Sequence, residues 1–320
     1  MKIKVLAGRR ARTGEGDLVF PSGHVLTFDA DCREYDWLFV FDEMPCAETL
    51  ACPRERTVLM TWEPVSIKSY SRHYTRQFGH LLTNRPPEAE NHPHYHLGRG
   101  YFPWFVGKDH DKLAREHPEK SRLTSVACSS KQMRHTQHYA RFKLIGEIVK
   151  GVPGTDWYGR GVRPFERKFE ILEPYRYHVA VENHVAPNHW TEKIADALLC
   201  ECLPFYAGDP DLGKVLPPES FIPIPIDDPA EAVRIVRAAI ANDEFSRRRE
   251  AVAEAKRLLL TKYNFVAQIL ALVEAERDVP VPERDPSRPQ RIFSRHELRL
   301  RSAGALFEDF LLHCRRGLRF

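Results

Sequence analysis

The sequence predicts an α/β protein: two doubly wound, Rossmann-like parallel sheets in tandem, facing a cleft, with an amphipathic helix at the C-terminus. Three observations predict it. Runs of five to seven mostly apolar residues recur along the chain, as expected for strands buried on both faces. Segments of helical spacing lie between them, and strands separated by helices imply parallel sheets covered on both sides. The whole series occurs twice, on either side of a stretch rich in Pro, His and aromatic residues.

In the first series the strand candidates are "IKVLA" (Ile3 to Ala7), "WLFVF" (Trp37 to Phe41), "TVLMTW" (Thr57 to Trp62) and "HLLTN" (His80 to Asn84). From about Pro86 to Pro118 periodicity is lost, and the segment reads as loop, where ligand contacts concentrate. The second series opens with "LTSVAC" (Leu123 to Cys128). A helix follows from His138, with Phe142, Ile145 and Ile148 on one face and Gly151 at its end. "YHVAVEN" (Tyr177 to Asn183) and "LPFYAG" (Leu203 to Gly208) are strands around a helix from Thr191 to Glu201. Further helices are expected at about 229–241, 244–260 and 263–277. Four prolines between Val279 and Arg291 then mark a semi-rigid linker. The expected division is 1–118, 119–278, and a linker with a basic amphipathic tail over 279–320.

Composition excludes several classes. No apolar run approaches the roughly 20 residues of a spanning helix, and the mean hydropathy is −0.46. The N-terminus "MKIKVLAGRR" is charged at once and lacks the apolar core of a signal peptide, so a cytoplasmic location is expected. Seven cysteines, an odd number without a CxxC pair, read as reduced thiols. The net charge of +4 is too mild for a nucleic-acid surface. It suits anionic small ligands and, through the basic tail, a membrane surface.

The chemistry concentrates between Tyr175 and Ile224. A buried strand ends in Glu182 and Asn183, and after a short loop Thr191 is placed to cap a helix that opens with Glu192 and Lys193. Free amides and the dipole at a helix N-terminus attract phosphate. Lys193 opposes that dipole, so it is either an anion ligand or a solvated lysine, and physics alone leaves both open.

The same segment resembles the donor half of the α-1,3-fucosyltransferase family, glycosyltransferase family ten, in its bacterial form. The matching pieces are "VEN", "TEKIADAL", "LPFYAG" and "PPESFIPI". "TDWYGRG" (Thr155 to Gly161), "SSKQMRHTQHYARFKLIGEI" and, less specifically, "TWEPVS" (Thr61 to Ser66) are similar to other family motifs. The resemblance implies a GT-B-like fold and an inverting transfer of L-fucose from GDP-fucose to a glycan hydroxyl. An α-1,3-type linkage on lipopolysaccharide or an oligosaccharide is implied too. Carried over by residue, it assigns the diphosphate to Arg141 and donor contacts to Asn183, Glu192 and Lys193. Tyr158, Glu182, His189, Trp190 and Thr191 complete the donor set, with the guanine contact open between His189 and Trp190. Arg141 and Lys193 would stabilise the leaving diphosphate. Glu63 is the expected base, with Glu88 and Glu90 as alternatives.

Neither metal nor cofactor is expected. The Asp-x-Asp in "DADCRE" (Asp29 to Glu34) falls in the wrong half, and His92, His94 and His96 lack a carboxylate or Cys at helpful spacing. Tyr101, Trp104 and Phe105 are candidate sugar-stacking rings. In the tail, Leu300, Ala303, Phe307, Phe310, Leu311, Cys314 and Leu318 form an apolar stripe flanked by arginines. It either lies on an anionic bilayer, at the inner face of the membrane, or packs back on the domains. The alternative functions are transfer from another GDP-sugar and an inactive glycan-binding protein.

Overall fold

The apolar runs of the first hundred residues fold as strands because each has a buried face on both sides. The structure, a computed structural model, describes residues 1–7, 17–65, 67–99, 106–130, 137–285 and 287–317, without the side chains of 315–317. Tyr101, Trp104, Phe105 and Leu318 lie outside the described residues. The chain divides into one unit of 1–99 with 268–320 and another of 100–267.

In the first unit the strands are β1 (Lys2–Ala7), β2 (Leu18–Val19), β3 (Val25–Thr27), β4 (Trp37–Phe41), β5 (Glu48–Thr49), β6 (Thr57–Thr61), β7 (His80–Thr83) and β8 (Tyr95–Leu97). Two short helices, α1 (Arg72–Thr75) and α2 (Pro87–Glu90), accompany them. Seven strands form one sheet in the order β2-β3-β1-β4-β6-β7-β8. It is parallel apart from the β2–β3 pair. Leu38, Val40, Leu59 and Leu81 are among its core residues.

The second unit contains α3 (His110–Arg115), β9 (Arg122–Ala127), α4 (His138–Gly151), β10 (Thr155–Tyr158), β11 (Tyr175–Val181), α5 (Glu192–Leu199), β12 (Leu203–Ala207) and β13 (Ile222–Pro223). Helices α6 (Pro229–Ala241), α7 (Glu244–Arg247) and α8 (Arg249–Thr261) follow. Its five-stranded sheet, ordered β10-β9-β11-β12-β13, is parallel throughout. Helix α4 packs with α6, and α5 with α8. From β9 the chain runs outward to β10, then returns to β11 on the other side of β9. The strand order therefore reverses between β9 and β11, the place where doubly wound sheets bind ligands.

The last elements, α9 (Phe265–Ala275), β14 (Arg291–Ile292), α10 (Arg295–Arg301) and α11 (Ala303–Gly317), carry the chain back to the first unit. The expected boundary at 118 thus falls at 99, and 279–320 is an integral part of the first unit. Long-range pairing is the reason. β14 pairs with β5, Ile292 is buried, and the Gln77 side chain bonds both the N–H and the C=O of Phe293. The stretch expected as loop over 86–118 holds α2, β8 and α3, each too short to show periodicity. The helix expected over 244–260 breaks at Arg248, which sits at φ −107°, ψ 12°. The tail helix breaks at Ser302, whose hydroxyl accepts from the Ala305 N–H and starts α11 afresh. Among the described residues no single helix is long and apolar enough to cross a membrane.

One buried histidine gives the second unit an acid limit. His178 lies in the middle of β11 beside the Ser125 hydroxyl, with its Nδ1 at 2.8 Å. Burial first, and repulsion by Lys168 second, push its pKa down to about 3. The unfolded chain, with an ordinary histidine near 6.5, therefore binds the extra proton between those values. This contribution is complete above about pH 6.5 and is lost as the pH falls toward 3, by roughly 1.4 kcal/mol per unit. Urea unfolding between pH 7 and 4.5 is expected to lose about 3 kcal/mol more in the wild type than in His178→Asn. Equal slopes would contradict it.

Candidate functional site

The ends of β9, β11 and β12 bring Cys128, Glu182 and Gly208 to one edge of the second sheet. The register sets this, with Val179 opposite Val126 and Val181 opposite Ala207. Glu182 continues β11 through its N–H to the Ala207 carbonyl, at 2.8 Å. Its carboxylate is fully buried and accepts from the Thr191 N–H (2.9 Å), the Thr191 hydroxyl (2.8 Å) and the Lys193 ammonium (3.0 Å). Thr191 in turn caps α5 by accepting from the Lys193 N–H. One carboxylate thereby fixes both ends of the 184–190 loop. Space for it requires Gly208, where a Cβ would lie 2.6 Å from the Glu182 Cγ and 2.1 Å from the Tyr206 hydroxyl.

Lys193 is therefore neither a solvated lysine nor an unpaired one. Burial lowers its pKa, but Glu182 and Glu192 outweigh that, so the pKa is raised and the ammonium persists. Glu192, at 3.5 Å from the ammonium, is raised by burial but lowered further by Lys193 and Lys168, and stays ionised. The next buried acid of α5, Asp196, is matched by Lys168 at 2.7 Å.

Arg141 differs from these. It projects from the first turn of α4, is buried, and its Nη1 donates to Asn183 Oδ1 at 2.5 Å. Among the described residues no carboxylate pairs with it, and its buried Nε has no acceptor. An orphaned buried donor costs about 1–3 kcal/mol, so the arrangement suits an anion that is not part of the chain. Cys128 lies beside it; burial raises the thiol, against the pull of Arg141 and Lys193. Gly159, at φ +143°, allows the β10 turn to approach, since a Cβ there would lie 2.2 Å from the Cys128 carbonyl oxygen.

Arg141, Glu182, Asn183, Thr191, Glu192 and Lys193 thus form one cluster at the carboxyl edge of the sheet, where the strand order reverses. Other expected site residues do not join it in the same way. Tyr158 is buried and donates to the Tyr175 hydroxyl at 2.7 Å, which donates to Asp156, while Arg163 covers its ring at 4.0 Å. Its polar end is spent on holding β10 to the sheet. Trp190 is 2% exposed and packs edge-on to Tyr263, as a core residue. His189 is buried too, but its ring meets that of His184 at 5.4 Å. His184, passed over in the sequence, is half-buried and gives the loop its more accessible ring.

In the first unit Glu63 follows β6, half-buried, and its carbonyl accepts from Arg85 Nη2 at 2.7 Å. Arg85 also forms a buried ion pair with Glu90 at 2.7 Å, so Glu90 is a structural anchor of the loop. Glu88 is exposed on α2. Asp42, another residue that sequence reasoning missed, ends β4 at φ 67° and pairs with Lys68. Burial raises its carboxyl above the usual range despite that partner. A positive φ on a non-glycine residue leaves no mark in sequence.

Residues 117–244 match the model of the glycosyltransferase family 10 (fucosyltransferase) C-terminal domain. No curated protein matches the sequence. The chain is similar to the structure "alpha1,3-Fucosyltransferase with GDP-fucose" with 16% identity, over 89% of this chain and 92% of that one, at a TM-score of 0.53. A second alpha1,3-fucosyltransferase structure gives 15% identity over 86% and 89%, at 0.51. The OtsA apo structure gives 8% identity over 78% and 74%, at 0.50. At these identities the likenesses establish the fold, the α/β architecture of the GT-B glycosyltransferases. Residues 117–244 are thus similar to the C-terminal domain of the family 10 glycosyltransferases, and that match together with the fold makes the chain a glycosyltransferase.

Proposed function

We propose that this enzyme transfers L-fucose from GDP-fucose to a hydroxyl of a glycan acceptor, with inversion at the sugar carbon. The observation that carries the reading is Arg141, a buried guanidinium at a sheet's switch point with no carboxylate partner among the described residues. A structural neighbour is described with GDP-fucose, which supports a GDP-sugar donor. As the C1–O bond breaks, charge builds on the β-phosphate, and a fixed guanidinium aimed there stabilises the transition state. Lys193 adds a second positive charge, held in place by Glu182. Glu192 offers a carboxylate to ribose or sugar hydroxyls, and the His184–His189 pair is the candidate contact for guanine. With two cations at the diphosphate, the reaction requires no divalent ion.

Glu63 is the proposed base, taking the acceptor hydroxyl's proton from the carboxyl end of β6. Turnover with a panel of GDP-fucose, GDP-mannose and UDP-glucose tests the donor, and product analysis on oligosaccharide acceptors tests the linkage, α-1,3 in this reading. Turnover only with a UDP-sugar would overturn it. Glu63→Gln is expected to lower kcat by about 100-fold or more while GDP affinity stays within about twofold. An active Glu63→Gln beside a dead Glu88→Gln would move the base to α2.

The tail supports a site of action at the inner face of the membrane. In α11 the polar side is the docked one. Glu308 accepts from the backbone N–H groups of Arg72 (3.0 Å) and His73 (3.2 Å), and Asp309 pairs with Arg295 (3.3 Å) and Arg299 (3.5 Å). Leu306, Phe307, Phe310 and Leu311 are left exposed. Arg299 and Arg301 are exposed beside them, and the sequence goes on with Arg315, Arg316 and Arg319. Such a face suits an anionic bilayer, at roughly 1 kcal/mol per basic residue near the surface. Phe307→Glu with Phe310→Glu is expected to abolish sedimentation with phosphatidylserine vesicles at low salt, leaving turnover on soluble acceptor within about twofold. Unchanged sedimentation would exclude this surface.

A further inference from the structure

We propose that the first unit carries a zinc site formed by His80, His96 and Glu276. Among the described residues, their ligand atoms are the group that converges as a metal site would require, all within 4.8 Å of one another. His80 opens β7 and His96 sits in β8, the edge strand of the sheet. Because Leu82 is opposite His96, the even-numbered residues of both strands share one face, and the two rings meet there with centroids 5.2 Å apart. Glu276 comes from nearly two hundred residues further on, just past the end of α9. It is positioned by two contacts: its N–H bonds the Leu272 carbonyl, and Glu274 two residues earlier is paired with the buried His24.

The chemistry of the three side chains fits the ion. His80 Nε2 faces the Glu55 carbonyl at 2.8 Å and so carries the proton there, leaving the Nδ1 lone pair to face inward. This is the outer-shell arrangement that orients metal-bound imidazoles. His80 Nδ1 and His96 Nε2 are 3.0 Å apart. Ligand atoms around tetrahedral zinc, with bonds of about 2.0–2.1 Å, stand about 3.3 Å apart. The carboxylate of Glu276 is half-buried and has no ion-pair or hydrogen-bond partner among the described residues. Two imidazoles and one carboxylate would bind zinc with water in the fourth position, after a rotation of Glu276 toward the rings. The ion would tie the edge strand to the end of α9, fastening the returning C-terminal segment to the sheet. None of its ligands belongs to the residues assigned to the donor, so the site is structural and compatible with metal-independent transfer.

The test uses the untagged full chain, stripped with EDTA and titrated with Zn²⁺ by calorimetry. One equivalent is expected to bind, and Co²⁺ in its place is expected to give the visible d–d absorption of a four-coordinate ion. Glu276→Gln and His96→Gln are each expected to weaken zinc binding by at least about 100-fold, beyond the 10–100-fold cost of losing an outer-shell partner. EDTA is expected to lower the melting temperature of the wild type but leave turnover on soluble acceptor unchanged. Absence of stoichiometric zinc binding, or wild-type affinity in Glu276→Gln, would overturn the proposal. Glu276→Gln decides alone should His96→Gln fail to fold.

Discussion

Arg141→Ala is expected to lower kcat by about 100-fold or more, equivalent to about 2.7 kcal/mol of lost transition-state stabilisation. The loss should arise in catalysis and not in folding. The Arg141 side chain bonds Asn183, and its buried Nε is unsatisfied, so truncation removes an unsatisfied donor along with a contact. The melting temperature should move by only a few degrees. Arg141→Lys should recover part of the rate, because a point charge returns without the two-pronged geometry that a guanidinium offers a diphosphate. Near-normal turnover of Arg141→Ala in steady-state assays would remove this residue from the donor site.

Lys193→Ala should affect both stability and rate. It leaves the fully buried Glu182 carboxylate with Thr191 as its remaining donor. Breaking one side of a buried ion pair costs about 3–5 kcal/mol, because the remaining charge stays desolvated. Thermal unfolding should therefore drop by roughly 10 °C, and kcat should fall by about 100-fold with it. The double replacement Glu182→Gln with Lys193→Met separates the two effects. Stability should largely return, since neither buried charge remains, but turnover should not. A double variant that regains activity would mean that Lys193 serves only to neutralise Glu182.

Most strands were legible because parallel strands buried on both faces read as unbroken apolar runs. "WLFVF" is β4 without a residue's error. β10, "TDWY", was missed because its half-buried edge position leaves it polar, and β8, "YHL", because three residues carry no period. The prolines of 279–291 correctly excluded a helix, yet they read as a linker. What binds 268–320 to the first unit is pairing with residues two hundred positions earlier, such as β14 with β5.

The site shows the same limit. Asn183, Glu192 and Lys193 were visible as a strand end and a capped helix start. That Glu182 would receive the Lys193 charge, and that Arg141 would bond Asn183 with no carboxylate partner among the described residues, required the register of β9 and β11. His96 was visible in "HPHYH", but its partners His80 and Glu276 were not, because the sheet and the returning chain bring them together.

Calorimetric titration of the wild type and Arg141→Ala with GDP tests the central claim most directly, with UDP as the comparison. The account predicts one GDP per chain, weaker UDP binding, and at least a tenfold loss of GDP affinity in Arg141→Ala, or about 1.4 kcal/mol. Equal GDP affinity in the two proteins, or tighter binding of UDP than of GDP, would contradict it.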